Sequence, residues 1–161
     1  MQIAVFDIET DGLFDELTKL HCAVVKTFPQ GDTYKFRPDN IHELPKLLMA
    51  SDIVVGQNII DFDLPAIRKL YPMSKVRAID TLILASMAYP NRLQQSLDSW
   101  GQTLGTLKGD YGKSSKTCWD AFNEDMLAYC EQDVVVTVKL FNHLMQTLGI
   151  ESFDQLPFIE V

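Results

Sequence analysis

Cysteine and histidine are scarce in this sequence, three of each in 161 residues. Cys22, Cys118 and Cys130 include no CxxC pair, and neither they nor His21, His42 and His143 fall at metal-ligand spacing, which argues against a disulfide framework or a zinc site. The cysteines read as reduced thiols, with Cys130 in a helix core, and the histidines as packing or surface residues rather than bases. No apolar run approaches the length of a membrane span, and no basic segment with an apolar core opens the chain. A cytoplasmic protein without membrane contact is expected. Basic residues are also in deficit, 14 Lys and Arg against 22 Asp and Glu, for a net charge of −8. Duplex affinity comes largely from Lys and Arg displacing counterions, so this balance argues against a strong nucleic-acid binder. Internal repeats, low-complexity tracts and linkers are missing too. With 47% hydrophobic residues the chain fits one domain over residues 1–161.

What the chain does have is carboxylates in informative places. Met1 to Glu9 is a nearly continuous apolar run that reads as a strand covered on both faces, and Asp7 and Glu9, two apart, project to one side of it. Adjacent unpaired carboxylates at the end of a buried strand repel and resist desolvation unless a cation sits between them. Taken alone, the pair is equally well read as a polar exit into the turn Thr10-Asp11-Gly12. Asp63 follows the short strand Ile53-Val54-Val55 and precedes Pro65, which suits the first turn of a helix. In isolation Asp63 is better read as an N-cap. A long helix is expected from Asn123, its N-cap, to Gly149 at C′, with apolar positions recurring from Leu127 to Leu148. Tyr129 and Asp133, four apart, share one of its faces.

The rest of the chain sets these segments in a mixed α/β order. Leu20–Thr27 and Asp32–Arg37 are strand patterns around a Pro-Gln-Gly turn, which suggests a hairpin meander. Strands near 52–55 and 76–79 then alternate with helices, so a central five-stranded sheet flanked by helices is expected. Asp80 reads as the N-cap of a following helix, with a catalytic role a poor second. The tail from Glu151 carries Phe153, Leu156, Phe158 and Ile159, which should pack back on the domain, with a partner-docking peptide as the other option. The bases bunch in two clusters, Arg68, Lys69, Lys75 and Arg77, then Lys108, Lys113 and Lys116. Each is ordinarily a solvated face. The second is favoured as a strand contact, because Gly105, Gly109 and Gly112 let its backbone approach phosphate.

Together, Asp7-Ile-Glu9, Asn58-Ile-Ile-Asp-Phe62-Asp63 and Tyr129-Cys-Glu-Gln-Asp133 resemble the three motifs of the DEDD exonucleases, the DnaQ-like branch of the ribonuclease H-like superfamily. Ala128 stands where the sister subgroup has a histidine, so the pattern is the tyrosine type. Further likeness in Asp7–Leu13, Ile79–Leu84, Ser99–Tyr111 and Gln132–Thr137 points to the proofreading domain of family A DNA polymerases of podovirus-type phages.

This resemblance implies a ribonuclease H-like fold and a 3′-5′ exodeoxyribonuclease that releases nucleoside 5′-monophosphates. Two divalent ions about 4 Å apart would supply nucleophile activation, charge stabilisation and leaving-group assistance. Asp7 would bridge them, Glu9 and Asp133 would complete one site, and Asp63 would hold the second ion. Magnesium or manganese suits an all-oxygen ligand set. Tyr129, a poor base at its ordinary pKa near 10, would orient the attacking water. Thr10 and Leu13 match positions that contact the terminal nucleotides, and Asn58 and Phe62 match strand-lining positions. Leu13 is equally well a turn residue closing over the core, and Phe62 a plain core aromatic. Single-stranded DNA and frayed 3′ ends are the expected partners, with proofreading or degradation of DNA for a phage as roles. The relatives continue into a polymerase whereas this sequence stops at Val161, so an exonuclease serving a polymerase on another chain is one expectation. An RNA-trimming exonuclease and a non-catalytic 3′-end-binding adaptor are the competing functions.

Overall fold

The run Ile3–Thr10 forms β1 in the middle of the sheet, which explains its apolar sequence. Ala4, Phe6 and Ile8 pack on one face and Val5 on the other, all four buried. The computed structural model describes residues 1–112 and 118–161. β2 (Leu20–Phe28) pairs antiparallel with β1, and β3 (Thr33–Phe36) antiparallel with β2, the expected meander. On the other side β4 (Ile53–Gly56) and β5 (Arg77–Asp80) run parallel to β1. To these five strands the tail adds a sixth, β6 (Ile159–Glu160), antiparallel to β5, and the order is β3-β2-β1-β4-β5-β6.

Helices cover both faces. α1 (Leu44–Ala50) and α2 (Leu64–Leu70) bury Leu44, Leu48, Leu64 and Ile67 against Ala4, Phe6 and Ile8. On the opposite face lie α3 (Thr81–Ala88), α4 (Leu97–Leu104) and α5 (Glu124–Thr147). α5 starts where the sequence predicts, with the Asn123 side chain accepting the Met126 N–H at 2.8 Å. Its inward residues Cys130, Val134, Leu140 and Leu144 are at most 1% exposed. Each buried leucine contributes about 1.5–3 kcal/mol of transfer free energy. That packing locks α5 across β1 and β2.

Two local devices aim the chain at the end of β1. Gly56 ends β4 where a side chain has no room, since a Cβ there would lie 2.3 Å from Ile59 Cγ2 and 2.9 Å from the Phe6 carbonyl. Asn58 then takes the left-handed conformation, φ 58°, and a single π-helical turn, Ile59–Asp63, runs straight into α2. Asp63 is therefore helical itself, φ −60° and ψ −49°, and its side chain makes no capping bond.

The first basic cluster is partly structural. Arg68 donates to the carbonyls of Met73, Ser74 and Val161, and the Arg77 guanidinium lies over the Phe158 ring. Phe153 and Leu156 pack on the α5 core as expected of the tail, whereas Phe158 and Ile159, expected to do the same, stay 41% and 52% exposed at the sheet edge.

Candidate active site

Asp7 and Glu9 continue the Val5 side of β1, towards α5. Cys130 fixes that approach from below, its thiol donating to the Asp7 carbonyl at 3.3 Å and lying 3.6 Å from Asp7 Oδ2. One helical turn further on, Asp133 is carried to the side of Asp7, and the charge of Asp7 acts on it. The charge of Asp7 acts likewise on Glu9 and on Asp63. Asp63 and Asp133 are 5% and 6% exposed, and among the described residues Asp63 Oδ2 and Asp133 Oδ1 have no hydrogen-bond partner. The four carboxylates proposed from sequence thus lie within electrostatic reach of Asp7 or are Asp7 itself, although they come from three separate stretches.

Such crowding is unfavourable for charge. Burial pushes Asp7 up to about 6, with Glu9 and Lys108 pulling the other way. Burial, then the Asp7 charge, takes Asp133 to about 8 against the opposing pull of Lys108. Glu9 is raised well above the carboxylate range by burial and then by Asp7 and Asp133, and Asp63 by burial and then Asp7. Buried, mutually repelling carboxylates of this kind are stabilised by a cation held between them. The donor set fits divalent magnesium or manganese, since every candidate ligand is a carboxylate oxygen. Asp7, Glu9 and Cys130 also offer ligand atoms within 4.8 Å of one another. Burial raises the Cys130 thiol well above its usual pKa, so it serves as a donor to Asp7 rather than as a thiolate ligand.

Tyr129 stands beside the carboxylates, half-buried and held on several sides. Its ring lies 5.9 Å from Tyr111 and 6.1 Å from Trp119, centroid to centroid. Gly109 packs flat on it, leaving a Cβ only 3.0 Å from Tyr129 Cδ2. Burial raises the Tyr129 phenol, which Lys108 only partly offsets, so the hydroxyl stays protonated at neutral pH.

A cleft of about 420 Å³ opens next to Glu9 and includes Thr10, Leu13, Phe62 and Trp119 in its walls. Leu13 is 74% exposed on its rim, so it does not close over the core. Phe62 is half-buried and faces the cleft, whereas the Thr10 hydroxyl is engaged with the Gly12 carbonyl at 2.7 Å. Asn58 is set back from this cleft, its backbone N–H held by Asp80. Lys108 lies at Asp133, its ammonium 3.6 Å from Oδ1, and Lys113 and Lys116 lie outside the described residues.

Trp119 was not legible in the sequence, lying ten residues before Tyr129 in a segment without helical or strand periodicity. Its place follows from the register shift between Glu9 and Thr10, where Glu9 pairs with Cys22 and Thr10 with Leu20. The bulged residue is His21, and its Nε2 bonds the Trp119 carbonyl at 2.6 Å.

A family model described as 3′-5′ exonuclease matches residues 2–149. The chain belongs to the 3′-5′ exonuclease family. The DNA-directed DNA polymerases of Enterobacteria phage T3 and Escherichia phage T7 are each 27% identical to this exonuclease chain over 88% of its length. It spans only 26% of each polymerase. Among solved structures, Brucella melitensis NrnC with bound Mg2+ superposes with a TM-score of 0.70 at 21% identity, covering 91% of this chain and 73% of that one. The catalytic core of RRP6 from Trypanosoma brucei does so with a TM-score of 0.70 at 13% identity, covering 92% and 41%. These likenesses establish the ribonuclease H-like exonuclease fold. Among the described residues no helix is long and apolar enough to cross a membrane.

Proposed function

We propose that this exonuclease domain degrades DNA from unpaired 3′ ends and releases nucleoside 5′-monophosphates. The observation that carries the reading is the grouping of Asp7, Glu9, Asp63 and Asp133, in which one buried oxygen each of Asp63 and Asp133 has no hydrogen-bond partner among the described residues. Asp7, central among them, would hold both divalent ions, Glu9 and Asp133 would complete one site, and Asp63 would serve the other. When bound, magnesium or manganese supplies Lewis-acid activation of water and stabilises charge on the phosphoryl oxygens and the leaving group. The chain's own groups then position the substrate. Tyr129, protonated and braced by Tyr111, Trp119 and Gly109, orients the attacking water with its hydroxyl. Trp119 and Phe62 offer aromatic faces on which the terminal base can stack, and exposed Leu13 is placed to wedge between the last bases. An unpaired end reaches this cleft without the cost of fraying a duplex.

The phage polymerase relatives favour DNA over RNA, and the intact carboxylate set favours catalysis over a non-catalytic adaptor role. Proofreading for a polymerase is the role that fits this kinship. DNA and RNA oligonucleotides of one sequence, labelled at the 5′ end and digested with magnesium, test the substrate. The DNA is expected to shorten from its 3′ end at least tenfold faster. Faster loss of the RNA would make this an RNA-trimming enzyme.

A further inference from the structure

Lys108 places a single positive charge inside the carboxylate cluster. Its ammonium lies 3.6 Å from Asp133 Oδ1 and 5.2 Å from the centre of the Tyr129 ring, with a side chain only 18% exposed. Its charge also acts on Tyr129 and on Asp7. Among the described residues it is the one Lys or Arg ion-paired with any of the four carboxylates.

This placement is built by the fold. The backbone before Lys108 is pinned to two helices, with the Thr106 N–H on the Gly101 carbonyl at 2.8 Å and Gln132 Nε2 on the Leu107 carbonyl at 2.7 Å. Lys139 Nζ adds a bond to Thr106 Oγ1 at 2.8 Å. Immediately after it, Gly109 lies against Tyr129, where an added Cβ would come within 3.0 Å of the ring. Only the flexible four-carbon stem is free to carry the charge in or out.

We infer that Lys108 is the internal counter-cation of the metal-free site, neutralising Asp133 and Asp7 until divalent ions enter and displace it. The inference rests on the divalent-ion reading above and concerns metal affinity rather than turnover. In the absence of metal, the ammonium relieves part of the repulsion among the carboxylates. A divalent ion bound to the same carboxylates would be repelled by it. At about 5 Å such repulsion changes an affinity on the order of tenfold even at the dielectric of water. Lys108 therefore stabilises the empty site and sets a threshold for ion binding. Once displaced, the same ammonium is left at the edge of the site beside the incoming phosphate.

The test is calorimetric titration of manganese into metal-stripped wild type, Lys108→Met and Lys108→Arg in mildly alkaline buffer, with melting curves in EDTA. Lys108→Met should bind manganese roughly tenfold tighter and melt at a lower temperature without metal. Lys108→Arg keeps the charge and should stay within about twofold of wild type in affinity. Unchanged or weaker binding by a folded Lys108→Met protein, with wild type binding normally, would overturn the role of Lys108 alone. No manganese binding by any of the three proteins would overturn the divalent-ion reading itself, and this inference with it.

Discussion

Asp80 holds Asn58 in place across the sheet, its Oδ1 accepting the Asn58 backbone N–H at 2.9 Å. The same carboxylate accepts the N–H groups of Ile60 at 3.1 Å and of Leu82 at 2.9 Å. It thus caps α3, as its position in the sequence suggests, and also sets the left-handed turn that leads to Asp63. Asp80→Ala leaves three N–H groups without their charged acceptor and should cost on the order of 2–4 kcal/mol of stability. Urea unfolding in EDTA measures this, and a loss well under 1 kcal/mol would reduce Asp80 to a simple cap.

Asp7→Ala should abolish cleavage without harming the fold. It removes the carboxylate that Glu9, Asp63 and Asp133 all face, so repulsion in the metal-free site falls. Melting in EDTA is expected to be unchanged or slightly raised. A folded Asp7→Ala protein with near wild-type activity would refute the assigned ligand set.

Tyr129→Phe should reduce turnover far less than Asp133→Ala. The first removes one hydroxyl and keeps the ring that packs on Gly109, Tyr111 and Trp119, while the second removes a proposed ligand. Single-turnover hydrolysis at saturating magnesium should show a partial loss for Tyr129→Phe, on the order of 10- to 100-fold. Equal damage from the two substitutions would make the phenol essential.

Stability without metal should fall as pH rises. Asp7 and Asp133 move from 3.8 when unperturbed to about 6 and about 8 in the folded protein. Between the two values the folded state binds more protons than the unfolded chain, so unfolding becomes easier with increasing pH through that window. Glu9 and Asp63 are shifted the same way. Asp11 runs opposite, lowered to about 2 because bonds from Thr18 and Lys19 outweigh burial, so its stabilisation is lost only as pH falls through that value. Melting in EDTA should drop on the order of 5 °C from about pH 4 to about pH 8, and magnesium should flatten the slope. A melting temperature that climbs over this range would contradict the assignment.

Much of this architecture was legible in the sequence because long periodic segments carry it. β1 shows as a nearly continuous apolar run since both its faces are covered, and α5 shows as a helix between Asn123 and Gly149 since one stripe is apolar. The positions of the first five strands along the chain and the hairpin meander followed from these patterns and the turns between them. β6 did not, because two residues paired at an edge leave no periodicity to read. Asp63 looked like a helix cap because Pro65 follows it, but the π-helical turn before it makes Asp63 itself helical and frees its carboxyl. Lys108 looked like a loop base because glycines surround it. Its approach to Asp133 depends on Gly109 packing against Tyr129, a contact between segments twenty residues apart that no local pattern encodes.

The central claim is tested most directly by digesting 5′-labelled single-stranded DNA with the purified chain, with magnesium and with EDTA, beside Asp7→Ala. A ladder shortening stepwise from the 3′ end, with nucleoside 5′-monophosphates as product, is expected only for wild type with magnesium. Undiminished cleavage in EDTA, internal cuts, or intact DNA under all conditions would contradict it.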